Sequence, residues 1–179
     1  GVSLLRPGAL LTVQVAGENY PLLFLHTKSG MEPRGLGLRD DMLIRALDFA
    51  KVLDRGTPPG KRANYIFLGD FNIMGMEYRY VRESDLPAAK ELLKLERGAR
   101  SRKMRVLDKD AEFTWWGGGS IDASSLDFVV ARDHLTFKRF GESEVSVRGW
   151  PSLPPGDERL AWVRRYSDHA LLYFEVQRV

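Results

Sequence analysis

The sequence has no cysteine. Disulfide frameworks and thiolate metal sites are therefore excluded, and any metal must sit on oxygen or imidazole. No apolar run approaches the roughly 18–20 residues of a membrane span. The opening Gly1-Val2-Ser3-Leu4-Leu5-Arg6 has neither an initiator methionine nor the charged-then-apolar order of a signal peptide. It reads as a processed end, a tag remnant or the start of a fragment, and it assigns no localisation. Internal repeats and dividing linkers are also lacking. What remains is 179 residues, 44% hydrophobic and 28% charged, enough for one soluble domain with its own core. The net charge of +3 and the pI near 9.2 suit a polyanionic substrate, although many proteins without one are as basic.

The chain opens on two apolar runs, Ala9 to Val15 and Tyr20 to Leu25. They flank Ala16-Gly17-Glu18-Asn19 and predict a β-hairpin. The second run is apolar on both faces, as a buried strand would be. It ends abruptly in His26-Thr27-Lys28-Ser29-Gly30. Gly30, Pro33, Gly35 and Gly37 then predict a loop. From Arg39 to Arg55, Leu43, Ala46, Leu47, Ala50 and Leu53 recur at helical steps, until Gly56 and Pro58-Pro59 stop the pattern. Tyr65 to Leu68 forms a short strand running into Gly69-Asp70-Phe71-Asn72. A second helix is expected from a Ser84 cap to Gly98. The basic stretch from Arg97 to Arg105 reads as an exposed loop. Further strands are expected over Glu112 to Trp116, Leu126 to Ala131, Glu144 to Val147 and Ala170 to Val176, with Pro151 to Asp157 as a loop. Strands with inserted helices give an α+β class.

Polar groups of one kind collect at strand ends, where rigid scaffolds display reactive side chains. His26 closes one strand and Asp70 with Asn72 closes another, while Asp127 opens a third and Asp168-His169 precedes the last. Carboxylates with an amide suit a hard cation such as magnesium or manganese. A histidine held by a carboxylate suits proton transfer. Together these groups fit hydrolysis of a phosphate ester. Taken singly, each has an ordinary reading. Asp70 and Asn72 could cap a turn, His26 could be a satisfied core histidine, and Trp115-Trp116 could be core aromatics before Gly117-Gly118-Gly119. Four strand ends carrying such groups weaken the ordinary reading.

The ordered motifs His-Thr-Lys-Ser (26–29), Gly-Asp-Phe-Asn (69–72), Thr-Trp (114–115), Leu-Asp-Phe (126–128) and Ser-Asp-His (167–169) resemble the endonuclease/exonuclease/phosphatase family. That family includes pancreatic deoxyribonuclease, abasic-site endonucleases, neutral sphingomyelinases and inositol polyphosphate 5-phosphatases. The resemblance runs from about Arg6 onward. It implies part of a four-layer α/β/β/α sandwich with two mainly antiparallel sheets, and a phosphoric ester hydrolase that uses Mg2+ or Mn2+. Carried over by motif, His169 resembles the general base that activates water, and Asp127 the carboxylate that orients it. Asp168 resembles a metal ligand. Asp70 and Asn72 resemble the pair that positions nucleophile and scissile phosphate, with Asp70 also near a metal. His26 resembles a phosphate-contacting or leaving-group histidine, which abasic-site endonucleases lack.

Two departures accompany the resemblance. Many members have Arg-Ile-Asp where this chain has Ser125-Leu126-Asp127. Members also place an Asn and a metal-binding Glu on earlier strands, and the 25 residues before His26 supply neither. The expectation is therefore the C-terminal portion of one domain, completed by a missing N-terminal part or a dimer mate. Its substrate is a phosphate ester, with nucleic acid among the options. The alternative is a catalytically incomplete fragment, or a non-catalytic module that binds polyanions or a protein through residues 97–105.

Overall fold

The hairpin forms as its sequence directs. β1 (Ala9–Val15) and β2 (Glu18–His26) pair antiparallel, with Val15 opposite Glu18. The linking residues Ala16 and Gly17 have φ of 51° and 86°, the two positive values of the tight turn that matches strand twist. This computed structural model describes residues 5–177. Residues 1–4, read above as a processed end or fragment start, and the last two residues lie outside them.

The chain then crosses over through α1 (Pro33–Asp54) to β3 (Ile66–Asp70), which lies parallel to β2 with Asp70 opposite His26. The helix starts earlier than the expected Arg39 because Pro33 fits the first helical position, where its missing N–H is no loss. α2 (Ala88–Ser101) starts later than Ser84. Leu86 is held extended by reciprocal backbone bonds with Met76 (2.8 Å each), and Pro87 further disfavours helix before it. The basic stretch is not a loop. Arg97 and Arg100 lie on α2, and β4 (Met104–Val106) follows, pairing antiparallel with β5 (Asp127–Arg132). The resulting sheet has the order β1-β2-β3-β5-β4.

By contacts the chain divides into two compact units. One comprises the chain up to Val106 with Phe128–Leu135, and the other Leu107–Asp127 with the chain from Thr136 onward. The first unit buries Leu43, Ala46, Leu47 and Ala50 of α1 with Tyr65, Phe67, Phe71, Phe128 and Val130. Phe67, Phe71 and Phe128 stack in series at 5.5 and 5.9 Å. Every residue of β1 is exposed, including Leu10 (52%) and Val15 (55%), and β1 is the sheet's edge.

The second unit carries β6 (Ser146–Arg148) paired antiparallel with β7 (Leu171–Tyr173), around a small core of Val147, Trp150 and Ala170. Glu112 to Trp116 is not a strand. Thr114 and Trp115 both donate to the Ser124 carbonyl (2.9 Å each), which breaks ladder geometry. α3 (Asp157–Arg165) was not expected, although Asp157 and Glu158 in its first turn and Arg164 and Arg165 in its last match the helix dipole. Among the described residues no helix is long and apolar enough to cross a membrane.

Candidate active site

The C-terminal ends of β2 and β3 bring His26, Asp70 and Asn72 together in the first unit. The parallel register sets His26 beside Asp70, and His26 Nε2 lies 3.3 Å from Asp70 Oδ2. Asp70 then ties down the turn after it. Its Oδ1 accepts the Asn72 backbone N–H (2.9 Å) and its Oδ2 accepts Asn72 Nδ2 (2.8 Å). Asn72 is buried and sits at φ 48°, a left-handed conformation that Asn tolerates better than most residues. Thr27, fully buried, adds a cross-strand clamp. Its Oγ1 donates to the Phe71 carbonyl (2.6 Å), its N–H donates to the Asp70 carbonyl (2.9 Å), and its own carbonyl accepts Asn72 Nδ2 (3.3 Å).

The second unit holds Asp127, Asp168 and His169. His169 Nδ1 lies 2.9 Å from Asp127 Oδ2. This contact sets Nδ1 as the protonated nitrogen and Nε2 as the basic one. The backbone of the Ser-Asp-His segment is fixed independently of that contact. His169 N–H donates to Ser167 Oγ (2.9 Å) and Ala170 N–H to the Thr114 carbonyl (2.7 Å). The Asp168 carbonyl accepts from Trp116 N–H (2.9 Å) and from Trp150 Nε1 (3.1 Å). The exposed Asp168 carboxylate takes one hydrogen bond, from Trp115 Nε1 to Oδ2 (2.9 Å).

Asp127 is buried and is held from two sides. Thr114 Oγ1 accepts both the Leu126 and the Asp127 backbone N–H, at 3.0 and 2.9 Å. Lys109 Nζ donates to the Asp127 carbonyl (2.9 Å) and to Ser125 Oγ (2.7 Å). A cation therefore stands at Ser125, where many members of the resembling family carry arginine, but it comes from a residue sixteen positions earlier. Burial pulls the Lys109 ammonium down to about 8, against the opposing pull of Asp127 and Glu112. Motif reading singled out neither Lys109 nor the clamping roles of Thr27 and Thr114. The two threonines lie inside the motifs at 26–29 and 114–115; no local signal marks Lys109.

Thr114→Val keeps the shape but removes the acceptor for two buried N–H groups. It is expected to destabilise the protein by about 2 kcal/mol, with Thr114→Ser costing well under half of that. Chemical denaturation of the three proteins checks this, and a valine variant as stable as the serine one contradicts the clamp.

Among the described residues no three His, Asp or Glu side chains gather as a metal cluster. Asp168, an exposed carboxylate with one oxygen anchored, fits a hydrated magnesium-type ion, which is commonly held by one or two carboxylates with water and substrate phosphate completing its shell. Asp70 is more heavily committed, with both oxygens bonded to Asn72.

No family model matches the chain, and no curated protein matches it by sequence. Solved structures do. Beta toxin from Staphylococcus aureus is similar over 94% of this chain and 56% of its own, at 17% identity and TM-score 0.56. TDP2 from D. rerio, solved with a single-strand DNA product, is similar over 97% of this chain and 68% of its own, at 14% identity and TM-score 0.56. TDP2 from C. elegans is similar over 94% of this chain and 49% of its own, at 14% identity and TM-score 0.52. The chain has a DNase I-like fold. At this identity the likeness extends to the fold alone, and the chain spans just over half of the beta toxin chain. Within the DNase I-like fold, both groups of polar residues keep the strand-end positions inferred from sequence.

Proposed function

We propose that the parent protein is a divalent-metal-dependent phosphoric ester hydrolase of nuclease or phosphatase type, in which His169 activates water for attack on phosphorus. The observation that carries this reading is the 2.9 Å contact between His169 Nδ1 and Asp127 Oδ2, with the Asp168 carboxylate on the adjoining residue. His169 Nε2 takes a proton from water as its oxygen bonds to phosphorus. The ester P–O bond breaks, and the leaving oxygen accepts a proton. Asp127 stabilises the imidazolium and fixes its orientation. His26 contacts the phosphate or protonates the leaving oxygen, and Asp70 with Asn72 positions nucleophile and phosphate. Asp168, with Asp70 as a further candidate, would hold Mg2+ or Mn2+, which supplies charge stabilisation for the transition state.

Nucleic acid is supported as substrate class by the DNA product bound to the D. rerio TDP2. The non-catalytic polyanion reading loses support because two of its cations are paired, Arg100 with Glu96 (3.4 Å) and Arg102 with Asp48 (2.8 Å). We infer further that the chain is the C-terminal portion of a four-layer sandwich domain. Its β1 edge, exposed along all seven residues, would be covered by further strands of the parent or by a second copy.

The test is manganese-dependent hydrolysis of bis(p-nitrophenyl) phosphate by the full-length protein and its Asp168→Asn variant. Turnover should vanish with EDTA, and the variant should lose about 10–100-fold in rate while needing more manganese for half-saturation. Turnover that ignores EDTA and survives in Asp168→Asn would rule the reading out.

A further inference from the structure

One buried ion pair grips both loops that leave β2 and β3. Arg39, on α1, is fully buried, and Glu91, on α2, is nearly so. Arg39 Nε and Nη2 donate to Glu91 Oε1 and Oε2 at 2.9 and 3.0 Å. The rest of the guanidinium is spent on backbone. Nη1 donates to the Gly30 carbonyl (2.5 Å) and the Lys28 carbonyl (3.3 Å), and Nη2 to the Gly75 carbonyl (2.8 Å). Glu91 Oε2 in turn accepts the Gly75 N–H (2.8 Å). Lys28 and Gly30 follow His26 closely, and Gly75 lies three residues beyond Asn72.

We propose that Arg39 and Glu91 are positioning residues, which set the loops after β2 and β3 so that His26, Asp70 and Asn72 hold a fixed mutual geometry. The inference rests on the phosphoester reading of those three residues. Stability alone is a poor reason for such a pair, since a buried ion pair often gains little over well-packed apolar side chains. Apolar side chains have no way to reproduce three carbonyl acceptors and one N–H donor engaged at once on two loops. Those bonds are directional, and arginine's planar fork supplies them from one rigid group. Both partners stand on helices, so the loops are referenced to rigid elements rather than to each other.

The experiment compares the full-length protein with Arg39→Met/Glu91→Leu and with Arg39→Lys. The double variant removes both charges together and avoids the unpaired buried charge that a single truncation leaves. Thermal unfolding, amide hydrogen exchange and hydrolysis of bis(p-nitrophenyl) phosphate are measured on each. The reporting amides are Thr27, bonded to the Asp70 carbonyl, Asn72, bonded to Asp70 Oδ1, and Glu77, bonded to the Met31 carbonyl.

The double variant is expected to stay folded but melt several degrees below wild type, because four backbone groups lose their partners, while these amides exchange about tenfold faster relative to amides elsewhere in the chain. Its kcat should fall about 100-fold, with KM changed by less than about threefold. Arg39→Lys keeps the charge without the fork and should lose about tenfold in kcat. A folded double variant with wild-type kcat and unchanged exchange overturns the proposal. If the double variant does not fold, Arg39→Lys decides, and wild-type exchange and kcat in it overturn the proposal equally. If the unmutated protein hydrolyses nothing, the phosphoester reading fails on its own. Faster exchange in the variants then still upholds the hold on the loops, and unchanged exchange removes it.

Discussion

His169→Ala in the full-length protein is expected to lower kcat for phosphodiester hydrolysis by about 10³-fold while leaving the fold in place at a modest cost in stability. The stability half follows from what the imidazole touches. Its side chain is 32% exposed, so part of its packing is lost and the buried Asp127 carboxylate loses its partner, a cost of about 1–3 kcal/mol. The backbone of residues 167–170 is held by bonds to Ser167 Oγ, the Thr114 carbonyl, Trp116 N–H and Trp150 Nε1, none of which uses the ring. The kinetic half follows from the Asp127 contact, which makes Nε2 the nitrogen able to take a proton. Asp127→Asn should therefore also be slow, by about 10²-fold or more, because an amide N–H facing Nδ1 favours the tautomer with its proton on Nε2. The two losses should not add. With the base gone, its orienter has nothing left to orient, so the double variant should match His169→Ala. Steady-state kinetics on the three variants checks this. Retention of more than about a tenth of wild-type kcat in His169→Ala is incompatible with a general base, whose removal costs far more.

That contact shows which parts of the site are legible in the sequence. Asp127 and His169 are 42 residues apart, yet each sits in a short motif beside an apolar strand. A strand fixes the direction of its end residue, so the motif order alone marks both partners. The same holds for His26 and Asp70, which the parallel register of β2 and β3 sets side by side. The supporting residues are illegible for a physical reason. Lys109 and Arg39 act through their far ends, and their partners are mostly backbone atoms of distant segments. A backbone carbonyl has no sequence signature, so neither residue looks different from a solvated cation.

Element boundaries follow the same division. The long helix α1 is recovered from its apolar period, but its first turn is hidden behind Pro33, which ends a helix when it follows one and starts a helix when it leads. The start of α2 is displaced by the Met76–Leu86 bridge, a tertiary pairing that overrides the cap preference of Ser84. α3 has no buried residue, so no apolar stripe announces it. Its only signal is the ordering of acidic residues before basic ones.

Gly69 joins fold and site at one atom, and Gly69→Ala is expected to destabilise the protein by about 3–5 kcal/mol. Gly69 lies opposite Leu25 in the parallel β2–β3 pair and has φ 129°, a region nearly closed to side chains. A methyl group there would stand 2.2 Å from the Leu25 carbonyl oxygen. That obstacle is backbone held in a sheet, so it has no flexible end to swing aside. Strain at φ accounts for about 1–3 kcal/mol, and parting the two strands adds the rest. Because His26 and Asp70 are the next residues on those strands, the same parting should separate them and lower kcat by about 100-fold in whatever folds. Gly37→Ala is the control: it lies inside α1 with open space around its Cα, and alanine there should stabilise by about 0.5–1 kcal/mol. Denaturant unfolding and kinetics of both variants separate the effects. Equal stabilities for the two would show that β2 and β3 do not approach so closely. A destabilised Gly69→Ala that keeps full kcat would retain the close approach but detach the β2–β3 register from catalysis.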